Sequence, residues 1–82
     1  MNADALRETL AKLPTLLEFE YHGRYGNIDH YYLPETKTHK YLLYFEDESK
    51  TEILVDSLDK AMTTPFLDGN SLAEAAEQIE II

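Results

Sequence analysis

The stretch Asn27-Ile28-Asp29-His30-Tyr31-Tyr32-Leu33-Pro34-Glu35-Thr36-Lys37-Thr38-His39-Lys40-Tyr41-Leu42-Leu43-Tyr44-Phe45-Glu46 decides the fold. Two runs of aromatic and aliphatic residues flank Pro34-Glu35-Thr36-Lys37. Such runs favour strands, and a short polar turn between them makes a hairpin. Centring the turn on Glu35-Thr36 sets His30 against Tyr41 and Ile28 against Leu43. Side chains alternate between the faces of a strand. Ile28, His30, Tyr32, Tyr41, Leu43 and Phe45 therefore share the face expected to meet a core. Asp29, Tyr31, Leu33, Lys40, Leu42 and Tyr44 share the other.

Towards the N-terminus the alternation continues. Leu17, Phe19 and Tyr21 point one way, and Glu18, Glu20 and His22 the other. Gly23-Arg24-Tyr25-Gly26 reads as the intervening turn, because glycines at its ends tolerate positive φ. A turn centred there places Phe19 opposite His30 and Tyr21 opposite Ile28. Before it, Leu6, Leu10 and Leu13 recur at helical spacing over Ala3 to Leu13. Asn2 or Asp4 can cap that helix, and Pro14 stops it.

Towards the C-terminus, Asp47-Glu48-Ser49-Lys50 predicts a turn and Thr51 to Asp56 a fourth strand. A one-residue slip in that turn would exchange the faces of Ile53, Leu54 and Val55, so their placement is left open. The period then changes. Ser57 caps a short helix that ends at Pro65, with Leu58, Ala61 and Met62 on one side. Phe66 and Leu67 read as loop anchors. Ser71-Leu72-Ala73-Glu74 has the pattern of a capping box, with Ser at the cap and Glu three residues on. The chain ends in Ile79-Glu80-Ile81-Ile82. The expected architecture is α+β, one small domain over residues 1–82. It is a four-stranded antiparallel meander sheet with an N-terminal helix and one or two short C-terminal helices packed on one face.

Composition narrows the chemistry. In 82 residues, 16 acids stand against 7 bases, a formal net charge of -9. Two domains of about 40 residues each would be too small to hold separate cores. The absence of cysteine excludes disulfides, thiolate zinc sites and iron–sulfur clusters. No apolar run approaches the ~20 residues of a membrane helix. An early acid and no basic-then-apolar leader at the N-terminus point to a cytoplasmic protein. Residues 41–82 hold ten acids against Lys50 and Lys60, which repels a nucleic-acid backbone.

Catalytic and metal signals are thin. His30 and His39 lie diagonally on one face of the expected hairpin, without the i, i+4 spacing of a zinc helix. Ser49, Ser57 and Ser71 sit where turns and caps use the hydroxyl for backbone bonds. Glu18/Glu20 read as the solvated side of a strand, and Glu46/Asp47/Glu48 as a hairpin tip. No glycine-rich phosphate loop is present. The expectation is a non-enzyme with no catalytic residue, cofactor or metal.

The tyrosines carry the functional expectation. Tyr31, Leu33, Leu42 and Tyr44 make the second sheet face more apolar than a solvated strand needs, and tyrosine is enriched at protein interfaces. The terminal Ile81 and Ile82 would be costly to leave in water. These six residues predict a protein-interaction surface, with no nucleic-acid or membrane partner. A homodimer formed through tails or sheet faces is preferred to a tail lying along its own sheet edge. The alternative is an acidic inhibitor or immunity-type protein, presenting Glu46, Asp47, Glu48, Glu52, Asp56 and Asp59 to the basic groove of a nucleic-acid enzyme.

Overall fold

A computed structural model describes the backbone of residues 1–82 and the side chains of residues 1–47 and 52–82. Leu6 and Leu10, one turn apart, give helix α1 (Ala3–Ala11) its buried stripe. Asn2 accepts the Ala5 N–H at 2.8 Å and starts the helix, and Lys12 and Glu8 pair on its outer side at 3.0 Å. Four strands follow: β1 (Leu16–Tyr21), β2 (Arg24–Leu33), β3 (Thr38–Phe45) and β4 (Glu48–Val55). Helix α2 (Leu58–Thr63) opens at Ser57, whose hydroxyl accepts the Lys60 N–H at 3.1 Å. Helix α3 (Leu72–Ala75) opens on the expected capping box, with Ser71 and Glu74 each bonding the other's backbone N–H. A 3₁₀ turn (Ala76–Gln78) leads into β5 (Ile79–Ile81).

The sheet is antiparallel with order β4-β3-β2-β1-β5, so it has five strands rather than four. The fifth is the terminal isoleucine run, which lies along the edge of β1 in its own chain. Ile79 pairs with Tyr21 and Ile81 with Phe19, and the Ile82 N–H donates to the Glu18 carbonyl at 3.0 Å. Within this chain the tail thus takes the arrangement along its own sheet edge, the one ranked second from the sequence. The 3₁₀ turn redirects the backbone within three residues, so a short connection suffices to reach β1.

The central hairpin has the expected register: His30 faces Tyr41, and Ile28 faces Leu43. The first hairpin does not. Its turn is His22-Gly23, both at positive φ (49° and 80°), the two-residue geometry that matches strand twist. Leu17 therefore faces Ile28, Phe19 faces Gly26 and Tyr21 faces Arg24. Each partner in β2 moves by four positions, an even number, so every side chain keeps its expected face. The third turn is also shorter than expected, and β4 begins at Glu48. A bulge between Leu43 and Phe45 absorbs the difference. Val55 pairs with Tyr41 and Ile53 with Leu43, which puts both on the core face and Leu54 on the other.

All three helices pack on one face. Leu6, Leu10, Ala61, Met62, Leu72 and Ala75 meet Leu17, Phe19, Tyr21, Ile28, Tyr41, Leu43, Phe45 and Val55 in one buried cluster. Each large apolar side chain buried there contributes about 1.5–3 kcal/mol. Leu67 is fully buried, and Phe66 sets its ring against Phe19 and Phe45, so both loop anchors hold. Tyr32 lies on the core face but is half exposed, because it stands at the far end of the sheet from most of the core. Among the described residues, no helix is long and apolar enough to cross a membrane.

Candidate functional site

With the helices on one side, the other side of the sheet is open. Its cross-strand rows follow from the pairing. One row runs Leu54, Leu42, Asp29, Leu16 across β4 to β1. The next holds Tyr44, Asn27 and Glu18, with Ile82 bonded beyond Glu18. A third holds Tyr25, Glu20 and Glu80. Lys40 pairs with Tyr31, and Leu33 with Thr38, at the opposite end. Leu16, Tyr25, Tyr31, Leu33, Leu54 and Ile82 are exposed, and Leu42 and Tyr44 are half-buried. Leu54 leaves 56% of its surface in solvent near the C-terminal end of β4, on its outward side.

Four of the six sequence-predicted interface residues, Tyr31, Leu33, Leu42 and Tyr44, come together here. Ile82 joins them at the β5 edge. Ile81 does not: its register partner is Phe19, so it belongs to the helical side, at its rim. Leu54 and Leu16 extend the apolar row. Leu54 was hidden from sequence reading by the uncertain turn before β4.

Asp29 ties the tyrosines together. Its carboxylate lies 3.4 Å from the Tyr31 hydroxyl and 3.4 Å from that of Tyr44, both long hydrogen bonds. The Asp29 charge, with burial second, raises the Tyr31 phenol above its ordinary value. Tyr44 is raised chiefly by burial and then by Asp29, with a hydrogen bond from Asn27 acting the other way. Both therefore stand as neutral hydroxyls.

Asn27 is the buried polar residue of this face, only 7% exposed. Its Nδ2 donates to Glu46 Oε1 at 3.1 Å. Its Oδ1 is sealed from solvent and has no hydrogen-bond partner among the described residues. A buried acceptor left unpaired costs about 1–3 kcal/mol.

The acidic run at 46–59 is dispersed by the fold. Asp47 pairs with Arg24, Asp56 with Lys60 and Asp59 with Arg7, while Glu46 holds Asn27. Glu52 lies on the open side, and the Glu48 side chain is outside the described residues. The acids that do converge are others: Glu18, Glu20 and Glu80 stand side by side on β1 and β5. Their alternation with core residues was visible in sequence, but the neighbourhood of Glu80 required the fifth strand.

His30 and His39 form a separate pair at the end of the helical side, while His22 sits in the first hairpin turn against Tyr21. His30 Nδ1 lies 2.6 Å from the Leu13 carbonyl, which can only accept, so Nδ1 carries a proton. His30 Nε2 meets His39 Nδ1 at 2.8 Å, and the His30 ring stacks on Tyr41 with centroids 4.9 Å apart. This chain of bonds pins the end of β2 to the segment after α1. Among the described residues, no three His, Asp or Glu side chains gather as metal ligands would. Comparisons with protein-family models, with curated proteins and with solved structures find no match.

Proposed function

We propose that this chain is a non-catalytic protein-binding domain that works by having the open face of its sheet covered. The observation that supports this reading is the one-sided layering. Three helices cover one face, while Leu54, Leu42, Leu16, Tyr31 and Tyr44 remain together on the other. Exposed apolar side chains grouped on one face mark an interaction site, and here Asp29 stands among them between Leu42 and Leu16. Tyrosines with neutral hydroxyls supply rigid area and a polar tip, which suits an interface.

The test is affinity capture from the source cell with three baits: the natural chain, a Tyr31→Ser/Leu54→Ser variant, and a helix-side Glu8→Gln/Lys12→Gln variant. The expected result is a protein recovered by the first and third baits and lost with the second. Equal recovery by all three would overturn the reading. Recovery of further copies of the chain itself, lost in the same pattern, would identify the partner as a homodimer.

A further inference from the structure

Resting on that reading, we propose that the open face receives a basic segment of a different protein, not a second copy of this chain. The segment brings arginine or lysine groups to Glu18, Glu20 and Glu80, beside which the Asn27 carboxamide oxygen lies sealed, and apolar groups to Leu42 and Leu54.

Three observations converge on a basic occupant. Among the described side chains, the open side and its margin carry Glu18, Glu20, Asp29, Glu46, Glu52 and Glu80 against Lys40. Of the described cations elsewhere, four are already engaged, Arg7 with Asp59, Lys12 with Glu8, Lys60 with Asp56, and Arg24 with Asp47 and Asp68, and Lys37 stands exposed in the turn between β2 and β3. The third observation is independent of charge. Asn27 is more than nine-tenths buried, sits between Tyr44 and Glu18 in register, and holds an acceptor oxygen without a donor. A carboxylate offers acceptors only, and so does this oxygen, whereas arginine and lysine offer donors only. Asp29 and Glu46 already accept from Tyr31, Tyr44 and Asn27, whereas Glu18, Glu20 and Glu80 stand as acceptors with no donor among the described side chains.

The same inventory disfavours self-association through this face. A two-fold axis sets the face against itself. Six carboxylates would meet six, with one lysine from each copy to offset them, and desolvating unpaired like charges is costly. Nucleic acid is repelled for the same reason. A basic partner gains steering towards the site and exclusion of wrong partners from one charge distribution.

The experiment titrates the isotope-labelled chain with a synthetic peptide in which arginine alternates with leucine, and follows amide chemical shifts. Expected shifts map to β1, β2 and β3 on the open side and include the Asn27 side-chain amide. Affinity should fall at least about tenfold as ionic strength rises from about 0.01 M to about 0.15 M, over which screening shortens sharply. The triple change Glu18→Gln/Glu20→Gln/Glu80→Gln should weaken binding by a similar factor. Glu8→Gln/Glu77→Gln, on the helical layer, should leave it unchanged. Circular dichroism confirms that each variant is folded. Equal binding of a glutamate–leucine peptide, or a dimer mass abolished by Leu54→Ser, would overturn the basic partner while leaving the sheet-face reading standing. Shifts confined to the helical layer would overturn both.

Discussion

The ring of Phe19 lies directly over the backbone of its cross-strand partner Gly26. A Cβ built at position 26 would overlap Cζ of that ring and stand 2.8 Å from Cε1 and Cε2. Phe19 is fully buried and is held edge-on by Phe45 and Phe66, so it has no space into which to retreat. Gly26 is therefore a packing glycine, inside a strand, and serves no turn.

Gly26→Ala should destabilise the fold by about 1–3 kcal/mol, the usual cost of overfilling a packed core. Urea unfolding followed by circular dichroism measures it. A change below about 0.5 kcal/mol, the range of neutral surface substitutions, would show that the ring can move.

The tail offers a second test of the fold. Ile79 is buried beside Tyr21, whereas Ile82 leaves 65% of its surface exposed. Ile79→Ala should cost about 2–5 kcal/mol, in line with other isoleucine truncations in cores. Ile82→Ala should stay within about 0.5 kcal/mol. Neither effect should depend on protein concentration, because β5 pairs within its own chain. A concentration-dependent midpoint would show that tails exchange between copies.

Asp29 raises the phenol of Tyr31, and burial with Asp29 raises that of Tyr44, above the ordinary 10.0. The folded state thus favours the neutral phenols. Their contribution is intact below pH 10.0 and is lost as pH climbs through the raised folded values. Asp29→Asn should bring Tyr31 down towards its ordinary range. Tyr44 should move less, since burial is its larger cause. Phenolate absorbance against pH, with Tyr31→Phe and Tyr44→Phe to assign the steps, gives the result. An unchanged titration curve in Asp29→Asn would remove the carboxylate as the cause.

Glu74 is held below the ordinary glutamate value of 4.5 by the Ser71 backbone N–H and then by the Ser71 side chain. The charged form is favoured by folding, so its contribution is present above pH 4.5 and disappears as pH falls through the lower folded value. Glu74→Gln keeps an acceptor for the Ser71 N–H but does not titrate. Its melting temperature should fall less steeply than that of the natural chain below pH 4.5. Parallel curves for the two proteins would rule out the capping box as a source of acid sensitivity.

Much of this architecture is local in origin and was legible from the chain alone. Period-2 alternation through Leu17, Phe19, Tyr21 and through Ile28 to Phe45 assigned every one of those residues to its observed face. Asn2, Ser57 and Ser71 cap the three expected helices because capping is chemistry between neighbours three residues apart. Tyr31, Leu33, Leu42 and Tyr44 were legible as a shared face for the same reason, since pairing around a short turn brings them together.

What escaped the sequence depends on contacts between distant segments. Gly26 resembles a turn glycine until Phe19 is seen above it. His22 rather than Arg24 turns the first hairpin, because Arg24 lies over the Phe45 ring and is tied to Asp47 and Asp68 across the fold. The bulge after Leu43 decides that Leu54 faces outward, and no local propensity encodes a bulge placed by a neighbouring strand. Above all, the terminal isoleucines become a fifth strand only because the edge of β1 is free and within reach of the 3₁₀ turn. That pairing puts Glu80 beside Glu20. Residues 60 positions apart in the chain gather into an acidic margin through sheet pairing, which is a property of the folded surface and of no shorter stretch.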